Sequence, residues 1–317
     1  MIKESSEGIP FFSVIIPVYN KGPHVGRAVR SALRQTCGDF ELILVDDAST
    51  DNSMDEIGKF DDPRIRIYHR SESGPGGYAA RNLGTEKARA EWVAFLDADD
   101  EWFPEHLQKH LELSSHYPEA GVLGCGREII QKDGSVIMGE YYSRYKSRGN
   151  HFLDLDSYLE VFVAGYRPLW TSVTCIRREV LRQAGGFPAG RSKRGGDIDT
   201  WLRCIEHAKG MAWSAHVGAR YYKDSVNMVT NTSINTADAE LATVRRLLKK
   251  HRGRTARLLK MFANNRCMKA FKEHSKVTGK KKYSYLTRLY LSVIPFKKIP
   301  KYLTGSAVAK SKGSNRA

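Results

Sequence analysis

The sequence of 317 residues contains no run of eighteen apolar residues, so no membrane-spanning helix is expected. Its first eight residues lack the basic and then apolar order of a secretory signal peptide. The cysteines are scattered, odd in number and without C-x-x-C spacing, which is typical of a protein from a reducing compartment. We therefore expect a cytoplasmic protein with free thiols, most of them small buried hydrophobic side chains: Cys37, Cys125, Cys175, Cys204 and Cys267.

Two glycine-rich nucleotide-binding motifs are also missing. The first turn is Pro-Val-Tyr-Asn-Lys-Gly-Pro (17–23) and contains no G-x-G-x-x-G, so a dinucleotide site has little support. No G-x-x-x-x-G-K-[ST] occurs, which excludes P-loop phosphoryl transfer. The segment 74–77 is rich in glycine, but a turn before a helix explains it at least as well as a phosphate contact. A nucleotide held by carboxylates and a divalent ion fits this chain better.

The chain does have a regular alternation of strand and helix patterns. Apolar runs predict strands over 12–19, 40–45, 65–68 and 92–96, and helical spacing fills the intervals between them. Such alternation implies right-handed crossovers and a mainly parallel α/β sheet flanked by helices. In sheets of this kind the ligand lies beyond the carboxyl ends of the strands.

Polar side chains follow each of these strands. We expect them to line one crevice: Asn20, Asp46, Asp47, Arg70, Asp97 and Asp99. Asp97 and Asp99 are alternate residues, so both can approach one ion. Hard carboxylate oxygens suit Mn²⁺ or Mg²⁺, which also binds nucleotide phosphates. A D-x-D sequence alone equally fits a solvated acidic turn, so the metal interpretation depends on the other carboxylates.

Four motifs together resemble glycosyltransferase family 2, the inverting enzymes of the GT-A fold. They are Ser-Val-Ile-Ile-Pro-Val-Tyr-Asn (13–20), Val-Asp-Asp-Ala-Ser-Thr-Asp (45–51), Ala-Arg-Asn-Leu-Gly (80–84) and Phe-Leu-Asp-Ala-Asp-Asp (95–100). Their order and spacing over residues 12–104 make the match specific. The resemblance continues more loosely through 167–228, where Trp170 begins a segment similar to the acceptor-side strand and helix of the family.

The resemblance implies that one wall of the crevice binds the donor nucleotide. Pro17 and Tyr19 would frame the base, with Asn20 ending the same motif. Asp46 or Asp47 would contact the base or the ribose.

The resemblance also implies how the diphosphate is held. Asp97 and Asp99 would form the D-x-D motif of the family, with Asp99 as the more direct ligand of Mn²⁺ or Mg²⁺. Arg81 would help to hold the nucleotide. Structural alternatives remain open, since Pro17 also suits the end of strand pairing and Arg81 also suits a helix surface.

A second motif, Gly-Gly-Asp-Ile-Asp-Thr-Trp-Leu-Arg (195–203), predicts the start of a helix at Asp197. An aspartate there is a favoured helix cap. The resemblance instead implies that Asp197 is the general base, with Asp199 as the fallback. Family members commonly have Glu-Asp here, whereas this chain has Gly196 in place of the glutamate.

Charge divides the chain unevenly. Residues 245–317 contain 22 Lys and Arg but one acid, which gives +21 within a total of +16 and leaves −5 for residues 1–244. We expect a GT-A-like catalytic domain over 1–240, a basic helical appendage over 241–304 and a disordered tail over 305–317. The catalytic domain would have a nucleotide-binding half at 10–104 and an acceptor-side half at 105–240.

The appendage carries an aromatic and apolar segment, 283–296, between basic clusters at 280–282 and 297–298. This pattern favours the surface of an anionic membrane. Two alternatives remain: a solvated helical subdomain and a nucleic-acid-binding surface, although no recognised nucleic-acid motif accompanies the charge. We expect no nucleic-acid partner.

The sequence therefore predicts an inverting, metal-dependent glycosyltransferase. It would move a sugar from a nucleotide sugar, most simply a UDP-sugar, to a saccharide or lipid-linked acceptor. The setting would be surface polysaccharide or glycolipid synthesis at the cytoplasmic face of a membrane. A non-catalytic sugar-nucleotide-binding or scaffold protein is the alternative, because of Gly196. A nucleotidyltransferase would require a glycine-rich, basic first turn, which is missing.

Overall fold

The computed structural model describes residues 8–229 and 233–294. The chain divides into two compact units, Met1–Thr232 and Ser233–Ala317. This division falls eight residues before the boundary expected after residue 240. The tail expected at 305–317 and the basic pair Lys297 and Lys298 lie outside the described residues.

The first unit is built around one ten-stranded sheet, in the order β3-β2-β1-β4-β9-β6-β10-β5, with β7 paired to β6 and β8 to β10. Its strands are β1 (Phe12–Val18), β2 (Phe40–Asp46), β3 (Ile65–His69), β4 (Trp92–Phe95), β5 (Glu101–Trp102), β6 (Val122–Ile130), β7 (Val136–Met138), β8 (His151–Asp154), β9 (Thr174–Arg177) and β10 (Gly210–Tyr222).

Helices connect and cover these strands. They are α1 (Gly22–Leu33), α2 (Ser53–Ile57), α3 (Tyr78–Lys87), α4 (His106–His116), α5 (Glu140–Tyr145), α6 (Leu155–Val163), α7 (Arg178–Gln183) and α8 (Gly196–His207). Short 3₁₀ turns occupy Pro75–Gly77, Lys146–Arg148 and Thr171–Val173.

The amino-terminal half of the sheet is entirely parallel. β1 pairs with β2 and with β4, and β2 pairs with β3, all in parallel. Nearly every side chain of β1 and β2 is buried, because helices cover both faces of a parallel sheet. The strands and helices predicted between residues 12 and 96 are all present within a few residues of their expected bounds.

The remaining half of the sheet is mixed. β9 runs antiparallel between β4 and β6, while β6 and β10 pair in parallel over their length. Parallel pairings still contain most of the paired residues, so the predicted α/β class is confirmed. The consequence for function is that the ends of β1, β2 and β4 meet at one edge, where the predicted polar side chains emerge.

The second unit is helical where it is described, with α9 (Asp238–Lys250) and α10 (Gly253–Thr278) followed by 3₁₀ turns at Tyr283–Arg288 and Leu291–Val293. Apolar side chains of both helices are buried: Leu241, Val244 and Leu247 on α9, and Leu258, Leu259 and Phe262 on α10. A buried ion pair of 2.7 Å joins Arg266 to Glu240. Among the described residues of both units, no helix is both long and apolar enough to cross a bilayer.

Candidate active site

The loops after β1 and β2 are joined by side-chain hydrogen bonds. The Asn20 Oδ1 accepts the backbone N–H of Thr50 at 2.7 Å, and the Asn20 N–H donates to the Ser49 hydroxyl at 3.1 Å. Asn20 and Ala48 have positive φ angles of 50° and 61°. Left-handed backbone at residues other than glycine costs energy and persists where surrounding contacts enforce it, often at functional sites.

The two aspartates after β2 have distinct partners. Asp47 is fully buried, pairs with Arg70 and accepts the N–H of Gly74 at 3.0 Å. Asp46 accepts the N–H of Ser49 at 2.9 Å and lies 3.2 Å from the His69 ring. Asp47 therefore anchors the glycine-rich turn before α3, whereas Asp46 shapes its own loop.

The nucleotide-side residues predicted on β1 lie at the mouth of the same crevice. Tyr19 is 44% exposed, which leaves its ring free to contact a ligand. Pro17 is partly buried below it, and its Cβ lies 3.6 Å from the position that a Cβ of Gly77 would take. The end of β1 therefore faces the turn that Asp47 anchors.

Arg81 projects from α3 into the crevice. It is buried, donates to the Gly76 carbonyl at 2.8 Å and forms an ion pair with Asp97. Its Nε is buried without a hydrogen-bond partner within the described ranges. Ser172 fixes the other side of Asp97, because the Asp97 N–H donates to its hydroxyl at 3.1 Å.

Asp99, the predicted metal ligand, is bound by a cation of the chain itself. The Lys21 ammonium lies 2.6 Å from its Oδ2, and the Ser225 hydroxyl donates to the same oxygen at 2.5 Å. Arg27 donates to the Asp99 carbonyl at 2.6 Å. The side chains of Lys21 and Asp99 are 12% and 14% exposed, so the pair lies at the wall of the crevice.

Asp100 extends this acidic group inward. It is fully buried, accepts from the Ser172 hydroxyl at 2.5 Å and lies 3.4 Å from the N–H of Tyr222. Burial, together with the charges of Asp99 and Asp97, raises its pKa well above the usual value. The sequence placed Asp100 in a motif but gave it no role, and its contacts make it the link between β4 and β10.

We call Asp97, Asp99, Asp100 and Asp197 the carboxylate cluster. Burial raises the pKa of Asp97; Arg81 opposes this shift, and the negative charges of Asp99 and Asp197 add to it. These four acids have two basic partners, Arg81 and Lys21, among the described residues. The remaining negative charge and the hard oxygen donors fit a divalent cation such as Mn²⁺ or Mg²⁺.

The proposed base and its fallback occupy different environments on α8. Asp197 lies in the first turn, is partly exposed and acts on the pKa of Asp97 across the crevice. Asp199 is buried and pairs with Arg203 at 2.9 Å, and Arg203 also donates to the Gly186 carbonyl at 2.7 Å. Asp199 thus ties α8 to the turn after α7, while Asp197 is partly exposed on the side of Asp97.

The structure gives a physical reason for Gly196. A Cβ at this position would lie 2.5 Å from Pro188 and 2.8 Å from the Tyr78 ring. The Tyr78 hydroxyl accepts the Gly196 N–H at 2.8 Å, so tyrosine fills the place beside the base. Gly195, with φ of 81°, caps α8, so the alternative interpretation of Asp197 as the cap residue is wrong.

Sequence reasoning missed an aromatic and basic wall near Asp100. Arg127 on β6 lies over the Trp170 ring at 4.3 Å, and the Tyr221 ring of β10 is 5.2 Å from that of Trp170. Burial first, and then the charge of Arg167, lowers the pKa of Arg127 to about 10, and its Nε has no hydrogen-bond partner among the described residues. Burial and then the charge of Asp100 raise the pKa of Tyr221, which places this wall beside the carboxylate cluster.

Comparison with known proteins identifies relatives of the first half of the chain. Residues 13–166 match the model of the family described as glycosyl transferase family 2. Glycosyltransferase GlyG of Streptococcus pneumoniae is 33% identical over 142 residues, which cover 44% of this chain and 42% of that protein. The putative teichuronic acid biosynthesis glycosyltransferase TuaG of Bacillus subtilis is 40% identical over 130 residues, 40% of this chain and 51% of that one. The match thus spans about half the length of these relatives.

Solved structures share the fold at low sequence identity. The S. aureus TarS 1–349 complex with UDP-GlcNAc has a TM-score of 0.76 at 16% identity, covering 93% of this chain and 88% of that chain. The mannosyltransferase PcManGT from Pyrobaculum calidifontis, in complex with GDP-Man and Mn²⁺, has a TM-score of 0.57 at 16% identity, covering 95% and 87%. The predicted GT-A-like fold is confirmed.

Proposed function

We propose that this chain, which belongs to glycosyl transferase family 2 through residues 13–166, transfers a sugar from a nucleotide sugar to an acceptor hydroxyl. One observation carries the proposal: Asp197, in the first turn of α8, lies near enough to Asp97, at the end of β4, for its negative charge to raise the pKa of Asp97. Group transfer between two bound substrates needs such an arrangement, with a base on one side and charge neutralisation on the other.

The base is Asp197, which takes the proton of the acceptor hydroxyl as that oxygen attacks the anomeric carbon. Within the described ranges its carboxylate has no side-chain hydrogen bond or ion pair, and it is partly exposed, so an acceptor can reach it. A single displacement inverts the anomeric centre without a covalent enzyme intermediate. The rigid turn that Tyr78 and Pro188 form around Gly196 fixes the direction of the base.

The donor side of the crevice holds the nucleotide. Asp99 and Asp97 have the donor chemistry to bind Mn²⁺ or Mg²⁺, which would offset the charge developing on the departing diphosphate. Arg81 orients Asp97, and its buried Nε offers a further donor. The Lys21 ammonium adds positive charge beside Asp99. Tyr19 is exposed for contact with the base, and Asn20, Asp46 and Asp47 shape the loop beneath it.

A UDP-sugar is the donor we propose, supported by the likeness to TarS, whose structure contains UDP-GlcNAc. The test is a panel of UDP- and GDP-sugars with Mn²⁺, with Mg²⁺ and with chelator, in which release of free nucleotide is measured. A transferase slowly hydrolyses its donor, and does so only with metal. Donor binding without hydrolysis would support the non-catalytic alternative. If the protein neither binds nor hydrolyses any of these donors, both the transferase and the non-catalytic alternative are excluded.

The wall of Arg127, Trp170 and Tyr221 is the acceptor side in this proposal. Flat aromatic rings suit the apolar faces of sugars, and a guanidinium with unused donors suits an anionic group on the same acceptor. An acceptor in surface polysaccharide or glycolipid synthesis has both features, in keeping with the name of TuaG. Trp170→Ala should raise KM for acceptor and leave KM for donor near wild type, with Trp170→Phe as the matched control.

We also propose that the basic second unit contacts an anionic membrane from the cytoplasmic side. Tyr285 and Leu286 are buried, whereas Tyr283 and Leu291 are about half exposed. Few apolar side chains are therefore available for insertion into the membrane, so the attraction would depend mainly on charge. Replacing Lys280, Lys281, Lys282, Lys297 and Lys298 with Gln should weaken cosedimentation with anionic vesicles and keep turnover of a soluble acceptor. If the wild-type protein does not bind such vesicles even at low salt, where screening is weakest, the second unit is better explained as a solvated helical unit.

A further inference from the structure

Two histidines and two cysteines lie close together in the interior of the first unit. His106 and His110 are one turn apart on α4, so they share a face of the helix. Cys125 on β6 and Cys175 on β9 come from neighbouring antiparallel strands, and α4 packs over β6 and β10. We call these four residues the histidine–cysteine cluster.

Three of these side chains are spaced closely enough to share one ion. One donor atom each of His106, His110 and Cys175 lies within 4.8 Å of the other two. Cys125 lies beside the other ring nitrogen of His106, with its Sγ 3.8 Å from Nδ1. A tetrahedral ion with Zn–N bonds of about 2.0 Å and Zn–S bonds of about 2.3 Å requires an N···S separation of about 3.5 Å.

The histidines of this cluster lack the partners that buried imidazoles need. His106 and His110 are 0% and 1% exposed. Both ring nitrogens of His110 and the Nε2 of His106 have no hydrogen-bond partner among the described residues. A neutral imidazole has one N–H and one lone pair, and leaving either unsatisfied in the interior costs free energy. A metal ion would satisfy the lone pair of each ring.

The backbone of β10 is shaped to admit the cluster. A Cβ at Gly218 would lie 2.3 Å from the His106 Nδ1 and 2.5 Å from the Cys125 Sγ. Any other residue at this position would push both side chains away. Glycine here therefore lets a histidine and a cysteine approach the same point of the sheet.

We propose that the histidine–cysteine cluster binds one Zn²⁺ ion through the imidazoles of His106 and His110 and the thiolate of Cys175. Binding releases the Cys175 thiol proton, and the thiolate offsets part of the charge of the buried ion. The nitrogen and sulfur donors select zinc over the hard ions that suit the carboxylate cluster. The site would fasten α4 to β9.

This site would also support the crevice. The Trp102 ring stacks on the His106 ring at 4.3 Å, and its Nε1 donates to the Ser172 carbonyl at 2.6 Å. Ser172 in turn bonds Asp100 of the carboxylate cluster. A zinc ion bound to His106 would therefore hold Trp102 in place, and through Ser172 it would help to position Asp100.

The test measures bound metal in the purified full-length chain after dialysis against a mild chelator. We expect about one equivalent of zinc per chain. Replacement by Co²⁺ should give the visible absorption of a tetrahedral site together with a thiolate charge-transfer band in the near ultraviolet. Cys175→Ser should remove that band and release zinc to the chelator.

Two control variants separate this site from other effects. Cys204→Ser removes an equally buried thiol on α8 and should keep both zinc and spectrum. Asp99→Ala removes a ligand of the oxygen site and should also keep them. Wild-type protein without zinc and without a Co²⁺ thiolate band would overturn the proposal. Bound metal that survives Cys175→Ser would be adventitious and would overturn it as well. None of these readouts depends on transferase activity.

Discussion

The carboxylate cluster and the histidine–cysteine cluster offer metal donors on the same sheet under opposite conditions. The first lies at the crevice, carries negative charge and has basic partners of the chain, Arg81 and Lys21. The second is buried among strands, is neutral in its protonated form and has ring nitrogens without partners among the described residues. The cluster with hard oxygen donors is therefore the charged one that ligands can reach from the crevice. The cluster with softer nitrogen and sulfur donors is the neutral, buried one.

If both proposed sites bind their ions, this difference explains how one fold would keep two metals apart. Oxygen donors near solvent would bind a hard ion loosely enough to exchange it with each nucleotide, while Arg81 and Lys21 stabilise the carboxylates in its absence. Buried nitrogen and sulfur donors have no such substitute, so an ion there would be a permanent part of the fold. The two clusters communicate through Ser172, whose hydroxyl faces Asp100 and whose carbonyl accepts from Trp102.

The largest expected effect tests whether the carboxylate cluster includes the base. Asp197→Asn keeps the start of α8 intact, because Gly195 is its cap, but removes the proton acceptor. Transfer should fall by about 10²–10⁴-fold, the usual contribution of a positioned base. Donor affinity, measured by calorimetric titration of UDP with Mn²⁺, should persist.

The control for this variant is Asp199→Asn, two residues along the same helix. It weakens the ion pair with Arg203, so we expect loss of stability with transfer retained per folded molecule. If transfer collapses in Asp199→Asn and survives in Asp197→Asn, the base has been assigned two residues too early.

The second prediction concerns the oxygen site directly. Asp99→Ala should reduce metal-dependent UDP affinity by at least the about 10–100-fold seen when an outer-shell partner of a metal ligand is lost. The fold and the zinc content should not change, because Asp99 lies at the crevice and not in the histidine–cysteine cluster. Calorimetry with and without Mn²⁺ checks the first statement. Unaltered metal-dependent binding would contradict the assignment of Asp99.

A third prediction cuts the connection between the clusters. Ser172→Ala removes the hydroxyl that donates to buried Asp100 and accepts from the Asp97 N–H. Leaving these groups unsatisfied should lower the free energy of unfolding by about 1–3 kcal/mol, seen as a lower urea midpoint with an unchanged slope. The carbonyl that Trp102 contacts remains, so zinc should stay bound. Loss of zinc in this variant would show that the clusters are not separable.

The sequence predicted where these carboxylates lie because the features that place them are local. Asp97 and Asp99 follow a short apolar strand, and parallel topology brings the ends of β1, β2 and β4 together without further information. Asp197 was found in the same way, at the start of a periodic helix. Where hydrophobic periodicity and parallel strand order determine the position of a side chain, that position could be predicted from the sequence.

The rest depends on contacts that no local pattern encodes. The spacing of His106 and His110 was readable on α4, but Cys125 and Cys175 come from strands whose register sets them beneath it. The space at Gly196 is taken by Tyr78, 118 positions earlier in the chain. The wall of Arg127, Trp170 and Tyr221 likewise requires the pairing of β6 with β10, and the register of that pairing shifts near residues 214–219. Such contacts become visible only in three dimensions.

The smallest expected effect is on the pH dependence of donor binding. Burial and the charges of Asp99 and Asp197 raise the pKa of Asp97, so its ionised, metal-binding form is lost at a higher pH than for an ordinary aspartate as the solution is acidified. Asp197→Asn removes one of these charges and should lower the pKa of Asp97. The acid midpoint for UDP and Mn²⁺ binding should then move to lower pH.

Titrations of UDP with Mn²⁺ across the acidic range measure this midpoint in both proteins, and protonation of the nucleotide itself cancels in the comparison. Asp199→Asn is the matched control, because Arg203 already neutralises that carboxylate and the midpoint should stay at the wild-type value. A midpoint that is unmoved or raised in Asp197→Asn would mean that Asp197 does not act on Asp97. The base would then lie too far from the oxygen site for the carboxylate cluster to work as one unit.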